Sequence, residues 1–151
     1  MNWVPLRVVA RPVAVLLTII SVVVLVRGHN EPGGGFIGGL VGAMAATLSH
    51  LAGVNQRLTL FRCHPPGLML GGCLLATASG LPALFQQKPF LTGWWGIGVY
   101  VPAVGKVKLG TPLLFDIGVY LVVAGTAMML YRVLQDQRMN SLASHPGKES
   151  A

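Results

Sequence analysis

Charge is what this sequence is shortest of. Only 10% of its 151 residues are charged, and four acidic residues stand against eleven lysines and arginines. An ordinary soluble domain carries about 25% charge, so a surface built for water is excluded. Cysteine is nearly absent: Cys63 and Cys73 are too few for a disulfide framework or a zinc site, and are expected to be inert thiols. Basic runs are missing as well. The net charge of +7 is spread over the ends of apolar stretches, which argues against nucleic acid as a partner. No nucleophile–base pair, metal-ligand cluster or pair of carboxylates can be assembled, so no cofactor and no enzymatic activity are expected. The triplet Gly33-Gly34-Gly35 is not a phosphate loop, because it lacks the Gly-Lys-Ser/Thr ending and a preceding strand.

What is present in quantity is apolar sequence, 53% of the chain, with a mean hydropathy of +0.66. Stretches free of charge, or nearly so, cover residues 12–26, 33–53, 67–85 and 111–131. Crossing about 30 Å of hydrocarbon takes roughly 20 helical residues. The last three stretches suffice, and the first is completed by Val8, Val9 and Ala10 if Arg7 and Arg11 snorkel. The expected fold is an all-α integral membrane protein with four transmembrane helices, at about 8–27, 34–53, 67–85 and 112–133. Residues 1–134 form the membrane domain. The tail, 135–151, is polar, cytoplasmic and expected to fray. A cleavable leader is not expected, since no small-x-small site follows Val26. Arg7 and Arg11, Arg57 and Arg62, and Arg132, Arg138 and Lys148 fall on one side of a four-span topology. Positive-inside counting therefore predicts cytoplasmic N- and C-termini.

The segment from Gly28 to Leu40 joins the first two spans and is the pivot of the chain. At helical spacing Gly34, Gly38, Gly42 and Ala46 form one line, with Gly35, Gly39, Ala43 and Thr47 beside it. Small residues on a membrane helix admit another helix backbone, so Gly34, Gly35, Gly38, Gly39 and Gly42 are expected to form a packing interface with other subunits. A shorter line, Gly72, Ala76 and Gly80, marks the third span, and Pro82 is expected to kink it or mark its exit. Between the third and fourth spans, Trp94-Trp95 precedes a run alternating apolar and basic, 104–110, which has the period of a strand. A short β-hairpin-like loop on the outer membrane surface is the expectation there.

Asp116 is the acidic residue that lies within an apolar stretch. Intramembrane carboxylates are costly and mark functional positions, although one near a helix start also complements the helix dipole. His29 beside Glu31 offers a protonatable pair in the hinge, and each is also explained as a solvent-facing loop residue. His50 is expected to be interfacial or packed. Thr111 occupies an N-cap position ahead of Pro112.

Two long motifs resemble a known family. The run Arg27-Gly28-His29-Asn30-Glu31-Pro32-Gly33-Gly34-Gly35-Phe36-Ile37-Gly38-Gly39-Leu40 is similar to the signature of the B subunits of Mrp-type (Mnh/Sha) multisubunit sodium/proton antiporters. So is Gly110-Thr111-Pro112-Leu113-Leu114-Phe115-Asp116-Ile117-Gly118-Val119-Tyr120. The resemblance implies an accessory subunit in the bacterial inner membrane. Its partners would be other antiporter subunits and membrane lipid, with sodium ions and protons as the transported species. Asp116, Thr111 and His29 become candidates for the ion pathway. The pumping lysines and glutamates are implied to lie on other chains, and this chain has no lysine within a span. The alternative is a subunit of the ion-translocating module of a membrane-bound hydrogenase or related complex-I-like redox complex.

Overall fold

Proline and glycine set where the helices start and stop. The computed structural model describes residues 4–28, 33–51, 64–85, 87, 89, 91–101 and 105–144. Helix α1 runs Val4–Arg27 and α2 runs Gly34–Leu51. Gly28 follows α1, its N–H donating to Val24 O at 2.9 Å. Gly33 precedes α2 with φ +103, a left-handed backbone that a side chain would strain. Helix α3 spans Pro65–Ala78 and begins with proline in its first turn, where the missing N–H costs nothing.

Pro82 breaks the third span. Its ring would clash with the carbonyl four residues back. The chain accordingly turns at Ser79 and Gly80 and restarts as α4, Leu81–Phe85, with Pro82 in the first turn. Strands β1, Trp95–Val101, and β2, Gly105–Gly110, then form an antiparallel ribbon with Val99 opposite Val107 and an irregularity between Trp95 and Gly98. Helix α5 follows at once, Thr111–Ser144.

The fraying expected from Gln135 onward is corrected: α5 continues through Ser144. Leu134, Gln135, Gln137, Arg138 and Met139 are good helix formers, and extending an existing helix needs no new nucleus. At about 1.5 Å per residue α5 is about 51 Å long, against about 30 Å of hydrocarbon. One end therefore projects from the bilayer.

Four helical segments are long and apolar enough to cross a membrane, Val8–Arg27, Gly34–Leu51, Pro65–Phe85 and Thr111–Ser141. They pack in the order α1, α2, α5, α3. Half of α2 is buried, against 17% of the first span and 22% of the third and fourth, so α2 is the most enclosed helix. The interior is made of small residues, among them Ala14, Ala43, Ala45, Ala46 and Ala124, while Val15, Leu16, Phe36, Leu70 and Leu74 point outward. That inversion suits lipid, where apolar side chains gain nothing by hiding and close backbone contact supplies the attraction. Hydroxyls of Thr18, Thr47, Ser49, Thr77 and Thr126 each donate to the carbonyl four residues back. No water is needed to satisfy them.

The small-residue line of the third span packs on α5. A Cβ on Gly72 would lie 2.6 Å from Gly118 O and 2.8 Å from Val122 N, whereas one on Gly71 meets nothing within 4 Å. Gly72→Ala should therefore lower the unfolding free energy of the full chain in mild detergent by about 1–3 kcal/mol. Gly71→Ala should be neutral or stabilising by up to about 1 kcal/mol. Equal melting behaviour of the two variants would refute the packing of α3 on α5.

Candidate functional site

The site is the point where α1, α2 and α5 meet near the start of α2. The two glycine lines of α2 serve two different neighbours. On the first, Gly34 abuts Gly28 and Val24 O, and a Cβ on Gly38 would lie 3.0 Å from Ser21 O. On the second, Gly35 abuts the carbonyl of Asp116, and a Cβ on Gly39 would lie 2.8 Å from Tyr120 O. The first line belongs to α1 and the second to α5. The expectation that these five glycines face other subunits is corrected: their faces are filled from within the chain. The physical reason is distance, since both neighbouring backbones already occupy the space a side chain would need.

Gly42 lies where the two lines converge on a buried hydroxyl pair. Ser21 Oγ donates to Gly38 O at 2.8 Å and lies 2.9 Å from Tyr120 Oη. With the serine hydrogen spent on the carbonyl, the tyrosine must be the donor of the second bond. The chain of hydrogen bonds runs from Tyr120 to Ser21 and ends on a backbone carbonyl, which has no proton to pass on. This pair is a staple across three helices and not a proton wire. Sequence reasoning missed both residues. The available signal was Ser21 itself, a polar residue in a run of Val, Ile and Leu, and Tyr120, one turn after Asp116.

Asp116 is half-buried in the second turn of α5, with its backbone against Gly35. Thr111 is buried, and its hydroxyl oxygen accepts the N–H of Trp94 at 2.9 Å while its own N–H donates to Trp94 O at 3.1 Å. That reciprocal pair clamps the base of the ribbon to the start of α5. Thr111 and Asp116 therefore share one end of the bundle with Gly28 and Gly34. His29 and Glu31 lie outside the described residues, as does Cys63. His50 is exposed at the far end of α2, its ring edge-on to Tyr131 at 6.0 Å. Cys73 is free and exposed.

The staple makes a graded prediction. A Cβ on Gly42 would lie 2.5 Å from Tyr120 Oη and 2.9 Å from Ser21 Oγ, so Gly42→Ala should cost about 1–3 kcal/mol by overpacking. Tyr120→Phe removes one interhelical hydrogen bond and should cost about 0.6 kcal/mol, at most about 1.7. Thermal unfolding of the two variants in detergent tests the order, and a Gly42→Ala protein as stable as the wild type would contradict it.

Known proteins share this architecture. Residues 5–129 match a family model described as a domain related to the MnhB subunit of Na+/H+ antiporter. The chain is 35% identical over 141 residues to the B subunit of the Na(+)/H(+) antiporter of Alkalihalophilus pseudofirmus, covering 91% of this chain and 96% of that protein. It is 33% identical over 136 residues to the corresponding antiporter protein of Bacillus subtilis, covering 87% and 92%. Among solved structures it is similar to a chain of the Mrp complex from Dietzia sp. DQ12-45-1b, with a TM-score of 0.65 and 34% identity over 84% of this chain. The match spans 13% of that longer chain. These relatives carry antiporter names, so the hydrogenase alternative is not favoured. With four membrane-crossing segments, a glycine-lined second helix and relatives matched over nearly their whole length, the chain belongs to the MnhB family of multisubunit Na+/H+ antiporter subunits.

Proposed function

We propose that this chain works as an accessory membrane subunit that helps shape the ion pathway of a sodium/proton antiporter, with Asp116 on that pathway. The observation that carries the reading is the place of Asp116 on α5. The first turn of α5 holds no acidic residue, and the dipole benefit fades beyond the first turn. Asp116, one turn further in, gains little as a cap. A carboxylate half-buried in a spanning helix is expensive to keep, and cation or proton handling accounts for that expense. Thr111, whose hydroxyl is taken by Trp94, holds the mouth of the path in shape. His29, in the connection between Gly28 and Gly33, is assigned to the same mouth from its place in the sequence.

The rest of the assignment follows from charge and composition. The protein sits in the bacterial inner membrane with both termini cytoplasmic, since basic residues concentrate at the start of α1 (Arg7, Arg11), after α2 (Arg57, Arg62) and from the last third of α5 onward (Arg132, Arg138, Lys148). Residues 1–134 form the membrane domain and 135–151 the cytoplasmic tail, the first part of which is helix. Sister subunits and lipid cover the outward apolar faces, sodium ions and protons are the transported species, and the chain performs no catalysis of its own. The names of its relatives, which are those of antiporter subunits, support this reading.

Asp116→Asn should keep co-purification with partner subunits but lower sodium-driven proton movement in everted vesicles by at least about tenfold. That is the effect of losing a charge-assisted contact of roughly 1.5–3 kcal/mol. Wild-type transport in the variant would reduce Asp116 to a structural residue.

A further inference from the structure

At the opposite end of the α2–α5 contact from Asp116 lies a second polar constellation with no part in the proposed path. A small cavity of about 20 Å³ is lined by Ala46, Thr47, His50, Met128, Tyr131 and Arg132. It is large enough for about one water-sized atom. Its donors can be counted. The Thr47 hydroxyl hydrogen is spent on Ala43 O at 2.8 Å. Gln135 Nε2 donates to Tyr131 Oη at 2.6 Å, which leaves the phenol's own hydrogen to donate elsewhere. The Arg132 guanidinium and a His50 ring N–H complete the set. Among the described residues no carboxylate lines this cavity; Asp136, one turn beyond Arg132, stands exposed outside it. A cavity rich in donors and lacking an anionic wall suits an oxyanion and not a cation.

Depth narrows the ligand. From Thr111 to Arg132 helix α5 rises about 32 Å, which matches the roughly 30 Å thickness of the hydrocarbon. With Thr111 at one interface, Arg132 stands at the headgroup level of the other, where basic pockets between helices recognise anionic headgroups. We propose that Arg132, His50 and Tyr131 form a binding site for a phosphate group at this interface, one oxygen seated in the cavity and Arg132 pairing with the rest. A phospholipid headgroup and free phosphate share this chemistry, and the headgroup depth favours the lipid. The site is independent of Asp116, so it stands or falls separately from the ion-pathway reading.

The test uses the full chain with its co-purifying subunits in mild detergent, titrated with phosphatidylglycerol and, separately, with sodium phosphate, each followed by native mass spectrometry. Arg132→Gln should weaken retention of phosphatidylglycerol by about tenfold, the effect of losing a charge-assisted bidentate contact. Tyr131→Phe, which keeps the ring beside His50 and so keeps the fold, should weaken it by about threefold, as expected for one neutral hydrogen bond. Arg138→Gln, on the same helix but away from the cavity, should leave retention unchanged. Arg132-dependent binding of sodium phosphate without the lipid would uphold the site and make the free ion its ligand. Retention of both probes unaffected by Arg132→Gln and Tyr131→Phe would overturn the proposal.

Discussion

The structure depends on how near three helix backbones come to one another along α2. At Gly35, Gly38 and Gly39 the nearest facing atoms are backbone atoms of α1 and α5, joined only by the Cβ atoms of Leu25 and Val123, so the helices meet almost backbone to backbone. In lipid this is the way to gain attraction, because apolar side chains are as comfortable outside as inside. Glycine would be a poor helix former in water, at roughly 1 kcal/mol per residue against alanine. In α2 the same residues let the central helix of the bundle be gripped from two sides. The Gly72–Gly118 contact repeats the device between α3 and α5.

Polar groups are placed with the same economy. Threonine and serine hydroxyls bend back onto their own helices, and the Ser21–Tyr120 pair ends on a carbonyl. Such groups are satisfied internally, as a dry environment requires. Two other polar groupings mark the ends of the α2–α5 contact: Asp116 toward the start of α5, and His50, Tyr131 and Arg132 around the cavity at the opposite end. Between these two ends the α2–α5 seam is closed by Ala46 and Ala124, with Met128 packed alongside. On the reading proposed above, an ion route near Asp116 would not run straight down this seam and would draw on surfaces of other subunits. That agrees with a protein whose relatives are named as subunits.

Membership of the MnhB family gives these features a setting. The two motifs that carry the resemblance are the two that meet in space: the second half of the hinge motif lines α2, and the span-four motif supplies Asp116, Gly118 and Tyr120. A long motif on each of two helices is therefore one packed unit. The glycines and the acid are coupled by backbone contact, Gly35 to Asp116.

The sequence by itself determined the number and approximate extent of the spans, because hydrocarbon thickness sets helix length and charged residues stop at its edges. It also determined the family, through two motifs long enough to be specific, and it singled out Asp116 because a carboxylate in an apolar run is conspicuous. Tertiary structure alone decided what the glycines face. Spacing shows that two lines of small residues exist, but only neighbouring backbones reveal that α1 fills one and α5 the other. The partnership of Ser21 and Tyr120, 99 residues apart, was invisible for the same reason: a hydrogen bond between helices depends on their order and rotation, which no local pattern encodes. The continuation of α5 to Ser144 was hidden by polarity, since residues past Leu134 look like a tail in composition yet extend a helix already nucleated in the membrane.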